Sequence, residues 1–155
     1  MNTYRHRPKG SFTEDASWEE LYRLTKTWQT DIEFYQDDSR FLQQLLDKYF
    51  IWLIEKDSYQ MVSNLQNNLL KITSKCEDLL KKIEVHLEKL ASMVEHPSIK
   101  ESRVLRMEHG HLEDEIHDFE AFFRGSRKSI FTMVESVVLS EKVKHLLGHY
   151  SENKI

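Results

Sequence analysis

The chain has 155 residues, of which 39% are apolar and 31% are charged, and its net charge is −4 at pH 7. This length provides for one sizeable hydrophobic core and does not require a second domain. No basic stripe and no run of 18 apolar residues occurs, so we expect neither nucleic-acid binding nor a membrane-spanning helix. Cys76 is the only cysteine, which excludes an intramolecular disulfide, and we expect a cytoplasmic protein.

The residue types that make turns are scarce in this chain. Four glycines and two prolines occur in 155 residues, whereas Leu, Lys, Glu and Gln are frequent. Turns depend on glycine and proline, and the frequent residues are strong helix formers, so the composition predicts a small number of long helices. The predicted fold class is all-α.

The N-terminal segment, residues 1–16, contains three basic residues and no apolar periodicity, which is typical of a flexible arm. Ser17 and Glu20 have the spacing of a capping box, in which the serine oxygen and the glutamate satisfy backbone amides at a helix start. Apolar residues then recur at intervals of three, four or seven, without Pro or Gly. The first helix is therefore predicted from Ser17 to about Lys56.

The second predicted helix begins at Asp57 or Ser58, both of which are good N-caps. It ends at His96, because the residue before Pro97 is disfavoured in the helical conformation. Cys76 lies on its apolar stripe, so we interpret it as a small core residue. The other members of this stripe are Val62, Leu65, Leu69, Ile72, Leu79, Ile83, Leu87, Leu90 and Val94.

The third predicted helix runs from Ser98 to Leu139, and a short last helix from Ser140 to His149 folds back on the bundle. Each long helix has close to 40 residues, or about 60 Å at 1.5 Å per residue. Short connections between matched rods predict an antiparallel, up-down-up three-helix bundle over residues 17–150, with residues 151–155 as a tail. The alternative is a four-helix bundle, which a break of the third helix at Gly125 would produce.

The segment 41–54, FLQQLLDKYFIWLI, contains ten apolar residues in fourteen. Its apolar arc covers about half of the helix circumference and exceeds the stripe of an ordinary surface helix, so some of it is predicted to remain available to a partner. Phe122 of the third helix is expected at the same level of the bundle. The predicted interface consists of Phe41, Ile51, Trp52, Ile54 and Phe122.

The segment 108–120, EHGHLEDEIHDFE, is the densest in ionisable side chains. Its Glu108-x-x-His111 pair has the spacing of the ligands that ferritin-like bundles use for iron or manganese, and hemerythrin-like bundles use comparable histidine and carboxylate pairs. A ferritin-like site also needs a second such pair, which this sequence does not contain. The candidate ligands for iron, manganese or zinc are Glu108, His111, Glu115, Asp31 and His86.

Antiparallel counting places residues 28–31, 83–86 and 109–112 at one level of the three helices. His109 lies on the apolar stripe of its helix, and we predict a core histidine that is hydrogen-bonded across the bundle. The run of charged residues around it is also typical of a solvated helix face. A metal site at this level is therefore the alternative interpretation, and the preferred one is a structural layer without a cofactor.

No phosphate-binding glycine loop, nucleophile elbow or CxxC motif occurs in the sequence, so a non-enzymatic role is favoured. The polar helix faces are not enriched in Lys and Arg, which disfavours binding to a membrane surface. The sequence predicts a helical bundle that acts by self-association or as an adaptor for another helical protein. The alternative function is metal binding.

Overall fold

The computed structural model describes residues 13–56 and 59–153, and within them three long helices pack side by side. The helices are α1 at Trp18–Lys56, α2 at Tyr59–Glu95 and α3 at Ile99–Asn153. The predicted all-α, up-down-up bundle is confirmed. Within the described part of the chain, no helix is both long and apolar enough to cross a membrane.

The start of α1 agrees with the predicted capping box. The amide of Glu20 donates a hydrogen bond to Ser17 Oγ at 3.1 Å, and the Ser17 hydroxyl donates to Glu20 Oε1 at 3.1 Å. The start predicted for the second helix, Asp57 or Ser58, lies outside the described residues, and α2 is described from Tyr59.

The residues just before α1 pack against α3. Thr13 and Ala16 are buried, and the Arg106 guanidinium donates hydrogen bonds to their carbonyl oxygens at 2.7 and 2.8 Å. The same guanidinium lies 4.1 Å from the centre of the Trp18 ring, a cation–π contact. The folded unit therefore includes residues 13–16, which the sequence assigned to the arm, while residues 1–12 lie outside the described part.

The third helix continues through Gly125 to Asn153, a length of 55 residues. The four-helix alternative is wrong, since the break at Gly125 that it requires does not form. The residues from Ser140 to His149 are helical as predicted, and they continue α3 in a straight sequence of helical residues. The predicted tail is helical as far as Asn153, and residues 154–155 are outside the described part.

The core runs along the line where the three helices meet. Its largest fully buried side chains include Trp28, Leu46 and Leu53 of α1, and Phe123 of α3. The sulfur of Cys76 is also in this core, as predicted, and burial, followed by the nearby Glu77 charge, raises the pKa of its thiol to about 12. The thiol therefore stays protonated, which suits a packing role rather than a reactive one.

The parallel helices α1 and α3 are aligned at their starts but differ in length. Trp28 stacks on His109, 81 positions later, and Trp18 and Ile99, the first residues of the two helices, are also 81 apart. At the other end, the Lys56 ammonium donates a hydrogen bond to the Ser136 carbonyl at 3.1 Å. Because α1 has 39 residues and α3 has 55, residues 138–153 extend beyond α1, by about 24 Å. We call this segment the overhang.

Candidate functional site

Two histidines and a tryptophan form a buried contact at the level predicted from antiparallel counting. His86 Nε2 and His109 Nδ1 are 2.9 Å apart, and the Trp28 ring stacks on His109 with centroids separated by 4.7 Å. All three side chains are at most 4% exposed. The prediction of His109 as a core histidine hydrogen-bonded across the bundle is confirmed.

Two carboxylates of α3 continue this layer toward α1. Glu113 and Glu120 are 2% and 0% exposed, and the Tyr35 hydroxyl donates a hydrogen bond to Glu120 Oε2 at 2.7 Å. Burial of a carboxylate is costly unless it is hydrogen-bonded, so this contact makes the position of Glu120 possible. We call the group Trp28, Tyr35, His86, His109, Glu113 and Glu120 the buried polar layer.

The sequence interpretation missed Glu113, Glu120 and Tyr35. Glu113 and Glu120 follow His109 by four and eleven residues, which places all three on one face of α3. This spacing was the available signal, since His109 was already assigned to the core. The signal is weak because the same spacing occurs on many solvated faces.

The histidine pair has a definite protonation requirement. A hydrogen bond between two ring nitrogens needs one of them to carry a proton and the other to be a bare acceptor. Burial lowers the pKa of His86 to about 4, and this effect outweighs the nearby Glu108 charge, which acts in the opposite direction; Lys89 lowers the pKa further. The pair is therefore neutral at pH 7.

Four of the five predicted metal ligands line one groove between α2 and α3, with a volume of about 410 Å³. They are Glu108, His111, Glu115 and His86. The fifth, Asp31, belongs to α1, whereas this groove is lined by α2 and α3 only. The sequence therefore predicted correctly that these residues share a level, but only four of them share a surface.

Lysines of α2 contact the carboxylates of this groove. Glu108 lies 3.1 Å from Lys89, and Glu115 lies 3.0 and 2.9 Å from Lys75 and Lys82. Partial burial raises the pKa of the Glu115 carboxyl, but hydrogen bonds from Lys82 and Lys75 outweigh burial, so this pKa lies below its usual range. The geometry is that of an ion-pair network along a helix seam.

A metal site needs three or more ligand side chains that converge on one point. The residues that the structure describes include no group of three or more His, Cys, Asp or Glu side chains that could hold a metal ion. His111 faces solvent, and His86 is hydrogen-bonded to His109. The iron, manganese or zinc site stays a prediction to which this geometry adds no support.

The predicted interface residues are divided among several surfaces. Phe41 and Trp52 are exposed, and they lie eleven residues apart on one face of α1. Ile51 is also exposed, but it is about 100° around the helix from Trp52. Ile54 packs against the core, and Phe122 is exposed on α3.

Phe122 lies on a different side of the bundle from Phe41. It follows Glu115 by seven residues and so shares the face of α3 that contacts α2. The Phe41 ring instead contacts Phe131, with centroids 6.2 Å apart, at the seam of α1 and α3. The five predicted residues thus do not form one continuous patch.

Exposed apolar side chains are concentrated where α1 ends, α2 begins and the overhang leaves the bundle. We call this set the hairpin-end surface. Two clefts flank α3 there: one of about 110 Å³ between Trp52 and Lys144, and one of about 580 Å³ between Met61 and Ser136. The exposed apolar residues of the hairpin-end surface are Ile51, Trp52, Tyr59, Met61, Val138, Leu139, Leu146 and Leu147.

Comparison with known proteins adds no assignment to these surfaces. No family model matches the chain, and no curated protein or solved structure matches it either. The functional argument therefore depends on the geometry alone.

Proposed function

We propose that this chain is a non-enzymatic helical-bundle protein that acts by self-association through its hairpin-end surface. The observation that carries the proposal is the concentration of large exposed apolar side chains at this one end. Ile51, Tyr59 and Leu147 are each more than 60% exposed. Contiguous apolar surface of this kind marks interaction sites in soluble proteins.

The other prominent features of the molecule support a structural role. In the groove of α2 and α3, Lys82 is hydrogen-bonded to Glu115 and Lys89 to Glu108. The buried polar layer is closed, with His86 and His109 at most 4% exposed. Neither arrangement offers a substrate access to a general acid, a general base or a nucleophile.

A helix from another protein would also fit the chemistry of this surface, as an adaptor function requires. Self-association is favoured because the exposed leucines of the overhang have the same character as the exposed side chains near the α1–α2 connection. One copy therefore presents both an apolar helix and an apolar surface to receive it.

The proposal is tested by the molar mass of the full chain in solution, measured by size-exclusion chromatography with light scattering. The concentrations should extend from about 1 μM to about 1 mM, where interfaces of modest size are half-occupied. We expect the mass to rise above the 18.6 kDa of one chain. Trp52→Glu should lower it, because a buried unpaired charge opposes association.

Leu70→Glu is the matched control, since Leu70 is exposed on α2 away from the hairpin end. This variant should associate as the wild type does. A mass of 18.6 kDa at every concentration, unchanged by Trp52→Glu, would rule out self-association through this surface.

A further inference from the structure

We infer that the partner at the hairpin end is a second copy of this chain, whose overhang lies antiparallel to the first overhang about a two-fold axis. This inference rests on the proposed self-association and adds its geometry. It is carried by the length of the overhang, the spacing of its leucines and the distribution of its charges.

The overhang is a helix without a neighbouring helix of its own chain. It spans residues 138–153, about 24 Å, and Leu139 and Leu146 are 55% and 58% exposed. These two leucines are seven residues apart, so they lie on one face. Such a spacing is that of a helix which packs against another helix, and an isolated helix of this length is marginally stable in water.

A second overhang covers this face over its whole length. If a helix of 10 Å diameter buries half of its side surface over 24 Å, each overhang loses about 400 Å² and the pair about 800 Å². Stable interfaces bury about 1,200 to 2,000 Å² in total, so the ends of the overhangs must contribute as well. In an antiparallel pair, each overhang tip reaches the partner's hairpin end, where Tyr59 and Met61 are exposed.

A parallel pair would not cover these residues. Both tips would then point away from both bundles, and Tyr59 and Met61 would stay in contact with water. Parallel pairing also places Lys142 and Lys144 of one copy at the level of the same lysines in the other, which is repulsive. A two-fold axis near the middle of the overhang separates Lys142 from its counterpart by about 10 Å along the helix axis.

The first measurement is sedimentation equilibrium of the full chain and three variants. Leu139→Glu and Leu146→Glu should weaken dimerisation by at least about tenfold, because each places a charge in the centre of the apolar face. Leu70→Glu should leave the dissociation constant unchanged. Thermal melting of each variant at low concentration should match that of the wild type, since all three leucines are exposed in one copy.

The second measurement is the distance between spin labels in the dimer. Lys128→Cys and Glu135→Cys are suitable, since both residues are exposed on α3 and lie seven positions apart. In the antiparallel dimer, the label-to-label distance should be roughly 20 Å longer at position 128 than at position 135. In a parallel dimer, the two distances would be nearly equal. Wild-type chain treated with the same label measures any reaction at the buried Cys76.

The outcomes distinguish this geometry from self-association itself. A dimer that survives Leu139→Glu and Leu146→Glu, or equal distances at the two label positions, would overturn the antiparallel overhang pair while leaving self-association in place. A monomer at every concentration would overturn both. A dimer that both leucine variants dissociate, together with the distance difference, would support the inference.

Discussion

The two ends of the bundle use polar and apolar side chains in opposite ways. At the level of Trp28, the interior holds the buried polar layer, while charged side chains such as Lys82 and Glu115 cover the groove outside it. At the hairpin end, the interior consists of residues such as Leu53 and Val62, and the surface around it is also apolar. The difference separates structural specificity from association.

A polar layer in a helical core restricts how the helices fit together. His109 contacts Trp28 of α1 and His86 of α2, so a shift of α3 by one turn would break two contacts and leave polar groups buried. An apolar interior tolerates such shifts more easily. The layer thus sets the register of the bundle, and the hairpin end is left to bind a partner.

The largest expected effect comes from comparing the two tryptophans. Trp28→Ala should lower the free energy of unfolding by about 4 kcal/mol, because Trp28 is 0% exposed and its removal leaves a cavity beside His109. Trp52→Ala should change it by less than about 1 kcal/mol and should instead weaken association. Urea titration of both variants at low concentration makes the comparison. Equal losses of stability would show that the ends do not differ in this way.

The second effect is a pH dependence that belongs to the polar layer. The pKa of His86 is about 4 in the folded chain, below the value of about 6.5 expected when unfolded, so the unfolded state binds more protons between these pH values. The contribution is fully present above pH 6.5 and is lost as pH falls toward 4, by about 3 kcal/mol at most. Urea titrations from pH 7 to pH 4 measure this slope.

His86→Gln should flatten that slope, because glutamine does not titrate. His111→Gln is the matched control, since His111 is exposed on the neighbouring helix and should leave the slope close to that of the wild type. A slope that neither variant changes would assign the pH dependence to other groups.

A third, smaller effect should follow from the hydrogen bond of Tyr35 to Glu120. Tyr35→Phe removes the donor to a carboxylate that is 0% exposed and should cost about 2 kcal/mol of stability. Tyr59→Phe is the control at the hairpin end, since Tyr59 is exposed and should change stability little. Thermal unfolding of the two variants decides, and equal melting temperatures would argue against a stabilising role of this hydrogen bond.

The smallest effect compares the two glycines of α3. A Cβ added at Gly125 meets no atom within 4 Å, so Gly125→Ala should stabilise the chain by about 1 kcal/mol through helix propensity. A Cβ at Gly148 has equal space, but this residue lies in the overhang. Gly148→Ala should therefore leave the cooperative unfolding of the monomer unchanged. A destabilised Gly125→Ala variant would mean that α3 is less regular there than described.

Much of the bundle could be predicted from the sequence because its determinants are local. The Ser17 cap, the apolar spacing and the His96-Pro97 stop predict the helices, and their matched lengths predict antiparallel neighbours. Counting residues from the connections then placed Trp28, His86 and His109 at one level, where the structure has them in contact. A rigid helix with a fixed rise per residue makes such counting reliable.

The sequence alone determined the fold class, the register of the helices and the core role of Cys76 and His109. Only the tertiary structure decided the rotation of α3 about its axis, which turns Glu113 and Glu120 into the core and brings Glu108 and Glu115 to the lysines of α2. Packing against two neighbours sets this rotation, and no local spacing specifies it. The continuity of α3 through Gly125 was likewise decided by packing, since the helix penalty of one glycine, about 1 kcal/mol, is small beside the burial of Phe123 and Ile130.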